Sequence, residues 1–192
     1  MSRSAAVTEP LRQALAGLIT GPVLVVGETA RTVILIRIDH PETLGADMIA
    51  AAEGALAKYT PPLVLIDTGT ATTLSVLDET GAFLGGAIAP GVRLSAEALA
   101  QRTGLPLPEL TAPESALSRS TVDCLRSGIV LGAAAMVDGM LDRLEASLGT
   151  PVTAVATGGL AGCVIPHCRR PVILDDALLL QGLAVMYSRE AK

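Results

Sequence analysis

The stretch VLIDTGTATT, residues 64–73, decides the fold, because an apolar run ends in an acid and opens at once into a Gly/Thr turn. The four apolar residues 63–66 predict a buried strand, which places Asp67 at the carboxyl end of the strand, where open α/β sheets bind ligands. Gly69 lets backbone amides approach a phosphate, the threonine hydroxyls add donors, and Asp67 can hold an accompanying metal ion. The same residues also fit an ordinary strand exit in which Asp67 caps the turn. The decapeptide alone leaves both readings open.

Composition limits the size of the fold and the classes of function. A chain of 192 residues is most naturally one domain, or one and a fraction, and half of its residues are apolar. The aromatic residues are Tyr59, Tyr187 and Phe83 only, so the core must consist of Leu, Val, Ile and Ala, and Tyr59 and Phe83 are assigned to packing. So few aromatic rings disfavour stacking on nucleic-acid bases.

Charge, hydropathy and cysteine content point to a cytoplasmic protein. The net charge of −5 and the absence of a Lys/Arg cluster argue against nucleic acid or an anionic membrane as partner. The longest apolar stretches are interrupted well short of membrane-spanning length, and the N-terminal MSRSAAVTEP has no signal-peptide core. Cys124, Cys163 and Cys168 lack the C-x-x-C spacing, so we interpret them as small core or surface residues rather than metal ligands.

Periodicity and turn residues predict alternating strands and helices. The pattern predicts helices over residues 11–19, 44–59, 95–101, 122–148 and 178–187, and the fourth of these is interrupted near Gly128 and Gly132. It predicts strands over residues 23–26, 33–38, 63–67, 73–77 and 152–156, and a third strand of the meander that runs into Gly85-Gly86. Turns are predicted at residues 78–81 and 157–159, a tight bend at 87–91, and a loop over 104–113. Strand meanders followed by helices predict a ribonuclease-H-like α/β domain. A plain doubly wound sheet fits the early part almost as well.

Several motifs occur in an order and spacing that resemble one enzyme family. They are GADMIA (45–50), DTGTATT (67–73), GGAIAPG (85–91), Thr103 with Leu105-Pro106, residues 118–121, TGGLA (157–161) and LLLQGL (178–183). Together they resemble type III pantothenate kinase from near the N-terminus to the last helix. The specificity of the match comes from the order and spacing as much as from any single motif.

This resemblance implies a fold, a reaction and an assembly. The fold is a ribonuclease-H-like domain of the acetate kinase, sugar kinase, Hsp70 and actin superfamily, with the first lobe truncated. Residues 1–60 are expected to form a remnant of the first lobe with the substrate-site helix, and residues 61–192 the ribonuclease-H-like C-terminal lobe. Kinases of this family bind ATP between two related lobes, act as dimers, and phosphorylate pantothenate in the first step of coenzyme A synthesis. The implied cofactors are ATP, Mg²⁺ and a monovalent cation, K⁺ or NH₄⁺.

The resemblance also assigns roles to individual residues. Asp47 resembles the general base that takes the proton from the primary hydroxyl of pantothenate, a role that a carboxylate at a helix entrance can perform. Asp67 resembles the ligand of the monovalent cation. The residues expected at the substrate are Gly45, Ala46, Asp47, Met48, Thr103 and Thr121, and those expected at ATP are Gly69, Thr70, Thr72, Thr157, Gly158 and Gly159.

Two alternatives to these roles stay open at the level of the residues. Asp47 could merely cap its helix, and residues 157–159 could be a simple glycine corner between a strand and a helix. The loop around Thr103 would approach the substrate of the neighbouring subunit, so a homodimer is implied.

The chain also departs from the family pattern. The D-x-G-N-T phosphate loop does not occur in the sequence, Met48 stands where the family has arginine after the aspartate, Ser118 replaces a glycine, and the loop after Thr103 is shortened. A guanidinium can clamp a substrate carboxylate and a thioether cannot. Two hypotheses follow: the chain is the kinase or its major part, or it is a non-catalytic paralogue that serves as a dimerising, ligand-sensing or regulatory partner of a full-length kinase. A separate partner chain supplying the missing lobe is a further expectation.

Overall fold

The computed structural model describes residues 5–190, which form a mixed sheet flanked by helices. The strands are β1 (Leu63–Thr68), β2 (Ala71–Leu77), β3 (Phe83–Pro90), β4 (Thr153–Thr157) and β5 (Ile173–Leu174). The α-helices are α1 (Ala5–Ala16), α2 (Ala46–Leu56), α3 (Val92–Thr103), α4 (Thr121–Arg126), α5 (Gly132–Leu148), α6 (Ala161–Val164) and α7 (Leu178–Glu190), with 3₁₀ turns at Pro41–Thr43 and Ile165–His167. Residues 1–4 lie outside the described residues. They are the start of the predicted unit 1–60.

The sheet confirms the predicted ribonuclease-H-like architecture. Its strand order is β3-β2-β1-β4-β5. Strands β1, β2 and β3 form an antiparallel meander, whereas β1 with β4 and β4 with β5 are parallel. A plain doubly wound sheet is therefore excluded, because the first three strands are joined by hairpins rather than by helical crossovers.

Alternation along β1 separates two cores. Leu63 and Leu65 face a cluster that contains α2 and α7, while Val64 and Ile66 face a cluster built on α5. Buried Phe83 belongs to the first cluster, as expected of a packing residue. The sheet thus lies between an α2/α7 layer and an α5 layer, and the continuous apolar pattern of residues 63–66 reflects burial on both faces.

Helices α2 and α7 pack through glycines. A Cβ on Gly182 would lie 2.6 Å from the carbonyl carbon of Ala50 and 2.9 Å from Gly54 N, so the helix backbones are in direct contact. Buried Glu53 joins the same helices, since its carboxylate accepts hydrogen bonds from Arg189 Nη1 and Nη2 at 3.1 and 3.0 Å. It also accepts from Thr32 Oγ1 at 2.8 Å, which ties the preceding loop to α2. These contacts fix the position of α2 on the sheet.

Two predicted strands are wrong. Residues 23–26 make a single bridge, Val26 with Ala30, inside a turn in which Val25 O accepts three amide hydrogen bonds. Residues 33–38 likewise make one bridge, Ile36 with Phe83. Both segments have strand-like apolar patterns, but within residues 5–190 neither finds a neighbouring strand along its whole length, and a strand requires a continuous partner.

Two further boundaries differ from the predictions. Residues 87–90 of the predicted bend at 87–91 are instead the end of β3, because they pair in register with Ala71–Leu74 of β2, and Gly91 is the N-cap of α3. Helix α1 covers Ala5–Ala16 rather than residues 11–19. The remaining predicted helices and strands are present within a few residues of their expected bounds.

The long helix after Ser120 contains the predicted irregularity. Ser120 caps α4 by accepting a hydrogen bond from Asp123 N, and a π-helical turn, Ser127–Leu131, joins α4 to α5 without a break. The continuous stretch Thr121–Leu148 is long and apolar enough to cross a membrane by length and composition alone, a test that core helices of soluble proteins also pass. Within this helix the uncharged run, residues 127–137, lies between Arg126 and Asp138, in agreement with the expectation that charges interrupt the apolar stretches.

Candidate functional site

Two carboxylates come together at the carboxyl end of β1. Asp67 is paired in register with Thr73 of β2 and Thr157 of β4, and by alternation it lies on the α2 face of the sheet. Asp47 stands in the first turn of α2. Burial raises the pKa of Asp67, and the negative charge of Asp47 raises that pKa further. The structure thus juxtaposes the two acids that the sequence singles out.

The start of α2 is built by Gly45 rather than by Asp47. Gly45 is the N-cap residue, and it makes no side-chain capping bond. The Asp47 carboxylate oxygen Oδ1 accepts a hydrogen bond from Met48 N at 3.0 Å, beside the positive end of the helix dipole. Met48 itself packs against the α2-face core. Asp47 is therefore inside the first turn, with its carboxylate folded back toward the N-terminus.

The turn after β1 is held by its own backbone. Gly69 N donates to Ala71 O at 3.0 Å, and Gly91 N donates to Thr70 O at 3.1 Å, which brings the start of α3 onto the turn. Among residues 5–190, no turn amide donates to the Asp67 carboxylate, so the cap interpretation of Asp67 has no support in the hydrogen bonds. Thr70 is exposed at the edge of the sheet.

The glycine turn after β4 lies directly against Asp67. Thr68 Oγ1 donates to Thr157 O at 3.1 Å, and Leu160 N donates to Thr68 O at 3.2 Å. Gly158 has a φ of +99°, and its Cα faces the Asp67 carboxylate with no room for a side chain. The predicted ATP-side turns, residues 69–72 and 157–159, therefore meet at one sheet edge.

Thr72 contributes a buried hydroxyl to this edge. It is 2% exposed, lies opposite Thr68 in the ladder, and its Oγ1 has no hydrogen-bond partner among the described residues. An unpaired buried hydroxyl typically costs about 1–3 kcal/mol. By alternation Thr72 lies on the same face as Leu74 and Val76, the α5 face, so this hydroxyl is on the side of the sheet opposite to Asp67.

A separate cleft of about 600 Å³ opens between α3 and the helix that runs from α4 into α5. Its lining residues are all uncharged: Ala89, Pro90, Val92, Ser95, Leu99, Leu105, Thr121, Cys124, Leu125, Gly128, Ile129, Gly132, Ala133 and Met136. Ala89 pairs with Thr72, so this cleft lies on the α5 face of the sheet, opposite to the face of Asp67.

The cleft divides the predicted substrate residues into two groups. Thr121 and Leu105 line it, whereas the Oγ1 of exposed Thr103 donates to Leu99 O at 2.6 Å, within α3. Gly45, Ala46, Asp47 and Met48 lie on the other face. One chain therefore does not bring Thr103 or Thr121 to Asp47. The sequence analysis did not predict Ser95 and Cys124 as cleft residues. The spacing of Thr121, Cys124 and Gly128 places them on one face of a helix, and this pattern could have indicated Cys124.

The cysteines do not form a metal site in the part of the chain that the structure describes, where no group of three or more His, Cys, Asp or Glu side chains could hold an ion. Cys163 donates to Leu110 O at 2.7 Å. Burial, with a smaller effect of Asp138, raises the pKa of Cys168 to about 11, so this thiol stays protonated. The oxygen atoms of Asp67, Asp47 and the neighbouring turns are the donors that a hard cation such as Mg²⁺ or K⁺ prefers.

Comparison with known proteins gives a consistent picture. The family model for type III pantothenate kinase matches residues 2–143. Curated type III pantothenate kinases are similar to the chain. The enzyme of Exiguobacterium sp. is 39% identical over 170 residues, which cover 88% of this chain and 66% of that relative. The enzyme of Moorella thermoacetica is 37% identical over 190 residues, which cover 96% of this chain and 75% of that relative. The chain thus spans about two thirds of the length of these relatives.

Solved structures support the fold alone. A conserved protein of Campylobacter jejuni, described as a Baf family transcriptional activator, superposes with a TM-score of 0.69 at 17% identity and covers 98% of this chain and 80% of its own. The ethanolamine utilization protein EutJ from Carboxydothermus hydrogenoformans gives a TM-score of 0.52 at 13% identity, with 94% and 72% covered.

Proposed function

The chain belongs to the type III pantothenate kinase family, and on that premise we propose that it transfers the γ-phosphate of ATP to pantothenate, giving 4′-phosphopantothenate for coenzyme A synthesis. The observation that carries the proposal is the juxtaposition of Asp47 and Asp67 beside two glycine turns at one sheet edge. Phosphoryl transfer needs mainly positioning and charge neutralisation, which such an edge can provide.

Asp47 is proposed as the general base. Its carboxylate lies at the entrance of α2, is half-buried, and is held by Met48 N. From there it can accept the proton of the primary hydroxyl of pantothenate as that oxygen attacks the γ-phosphorus. General-base catalysis of this kind typically contributes about 10²–10⁴-fold in rate.

Asp67 is proposed as the cation ligand. Burial and the negative charge of Asp47 raise the pKa of Asp67, and ionised carboxylates here would repel the phosphates of ATP, so a cation beside Asp67 has a favourable charge environment. A monovalent cation, K⁺ or NH₄⁺, would bind at Asp67, and Mg²⁺ would accompany the nucleotide and neutralise its phosphate charge. The raised pKa of Asp67 is the expected property of a carboxylate whose counter-ion is a ligand rather than a side chain.

The nucleotide is proposed to lie along the two turns at this edge. Gly69, Thr70 and Thr72 would contact its phosphates, and residues 157–159 would approach its adenosine side. The two turns meet beside Asp67 through the hydrogen bonds of Thr68 with Thr157 and Leu160, which supports this placement.

The separation of Thr103 and Thr121 from Asp47 supports a homodimer, in which these residues serve the substrate of the neighbouring subunit. We also propose that residues 1–60 belong to the first lobe and residues 61–192 form the second, and that the protein acts in the cytoplasm. A partner chain that supplies further first-lobe contacts is the alternative assembly.

The test is ATP-dependent phosphorylation of pantothenate by the purified chain with Mg²⁺ and a K⁺ or NH₄⁺ salt. Asp47→Asn should lower kcat by about 10²–10⁴-fold. Asp39→Asn is the matched control, because Asp39 is exposed and outside the proposed site, and it should leave kcat unchanged. No transfer by the unaltered chain, with ATP or pantothenate still bound, would favour the ligand-sensing or regulatory paralogue, for which Met48 is the specific observation.

A further inference from the structure

Each of the two acids occupies space that a glycine leaves free. An ideal Cβ on Gly45 would overlap Asp47 Oδ1, and one on Gly158 would overlap Asp67 Oδ1. Gly45 precedes Asp47 by two residues, whereas Gly158 reaches Asp67 across the parallel pairing of β1 with β4. At both places, therefore, the carboxylate oxygen of an aspartate occupies the volume that a side chain on the glycine would need.

We infer that Gly45 and Gly158 are positioning residues for the two carboxylates, which act by leaving unfilled the volumes into which Asp47 Oδ1 and Asp67 Oδ1 fold. This role differs from direct contact with substrate or nucleotide, which the sequence motifs suggest for these glycines. The inference rests on the proposed function only in that Asp47 and Asp67 are taken to act in phosphoryl transfer.

The evidence for a positioning role is clearer at Gly45 than at Gly158, because the backbone conformation of Gly45 does not itself require glycine. Its φ of −64° and ψ of 140° suit any residue. Apart from Asp47 Oδ1, an added Cβ would meet Asp47 Cγ at 3.5 Å and Met48 Cγ at 3.7 Å, both ordinary contacts. The single steric conflict is therefore with the carboxylate, which a change of Asp47 rotamer relieves.

Gly158 combines the same conflict with backbone constraints. Its added Cβ would also lie 2.7 Å from Thr68 N, and its φ of +99° disfavours other residues. Gly85 is the closer control for conformation, since its φ is +107° and the nearest atom to an added Cβ would be Ile38 Cγ2 at 3.5 Å, an ordinary contact. The difference between Gly158→Ala and Gly85→Ala thus measures the steric effect at β1 and Asp67 beyond the cost of the positive φ.

The decisive experiment compares Gly45→Ala with Gly162→Ala, a helical glycine whose added Cβ would meet nothing within 4 Å. Crystal structures should show the Asp47 carboxylate displaced in Gly45→Ala while the backbone of residues 44–48 superposes on the unaltered chain. Because a misplacement of about 1 Å can cost about 10²-fold in rate, kcat should fall by about that factor with KM for pantothenate and ATP unchanged. Gly162→Ala should change neither readout.

Three results would overturn the inference. One is an unmoved Asp47 carboxylate in Gly45→Ala, with the backbone shifted instead. Another is a raised KM for pantothenate at unchanged kcat, the signature of a lost substrate contact. The third is a displaced carboxylate with full kcat. Failure of the proposed function would give a different result. If the unaltered chain is inactive, the kinetic comparison cannot be made, and the position of the Asp47 carboxylate in the crystal structures decides the inference.

Discussion

Replacing Gly182 by alanine tests the contact that places α2, and Asp47 with it, on the sheet. The new Cβ would overlap Ala50 O and lie 2.6 Å from the carbonyl carbon of Ala50, against roughly 3.5 Å or more at optimal separation, so α2 and α7 must move apart by at least about 1 Å. The atoms in conflict are backbone, so no side-chain rotation relieves the overlap. Separation would also loosen the packing of buried Leu178 and Met186.

The expected loss of stability follows from these contacts. Overpacking of this kind costs about 1–3 kcal/mol, occasionally more, and a rigid backbone conflict belongs at the upper end. Alanine regains up to about 1 kcal/mol of helix propensity, which leaves a net loss of about 2–3 kcal/mol in the free energy of unfolding. For a chain of this size, the melting temperature should fall by about 5–10 °C.

Urea and thermal unfolding followed by circular dichroism would measure this loss. Gly139→Ala is the matched control, because Gly139 also lies inside a helix and its added Cβ would meet only Arg143 Nη1, at 3.1 Å, the end of an exposed side chain. This control should be neutral or slightly stabilising. A Gly182→Ala chain as stable as the unaltered protein would refute the close approach of α2 and α7.

Three further predictions concern charges at or near α2. Burial and a neighbouring negative charge raise the pKa of Asp67, so its contribution to stability is present below the unfolded pKa of about 3.9 and lost as pH rises through the folded value. Asp67→Asn should therefore raise the melting temperature at pH 7 but not at pH 3, and equal values at pH 7 would contradict this. Burial acts to raise the pKa of Glu53, but hydrogen bonds, first that of Arg189, outweigh it and lower the pKa. Stability from Glu53 is thus present above about pH 4.3 and lost as pH falls, so Glu53→Gln should destabilise the chain in urea at pH 7, with the difference shrinking at low pH. Met48→Arg should tighten pantothenate binding in calorimetry, and unchanged affinity would remove Met48 from the substrate pocket.

Local signals were sufficient for most of the fold. The meander of β1, β2 and β3 follows from apolar runs and turn residues, and the glycines near residues 128 and 132 correctly predict the irregularity that the structure shows as a π-helical turn. Residues 23–26 and 33–38 carry equally good strand patterns, yet they make single bridges. Strand formation depends on a partner elsewhere in space, which periodicity does not contain.

The candidate site was predictable to the same extent. The position of Asp67 follows from the strand that precedes it, and that of Asp47 from the helix it begins. The placement of Thr121 on the opposite face could not be predicted, because it depends on the register of Ala89 with Thr72. The pairing of Glu53 with Arg189, 136 residues apart, likewise has no local signal.

The charge arrangement at the sheet edge favours a ligand-binding role over a purely structural one. Asp67 is half-buried, carries a raised pKa, and is opposed by the like charge of Asp47, so its ionised carboxylate opposes folding at neutral pH. The surrounding packing holds α2 against the sheet nonetheless, through the Gly182 contact with Ala50 and through Glu53. A fold that needed only a dimerising surface would be more stable with Asp67 neutral. The proposed function gives both carboxylates a use, Asp67 toward a cation and Asp47 toward the hydroxyl of the substrate.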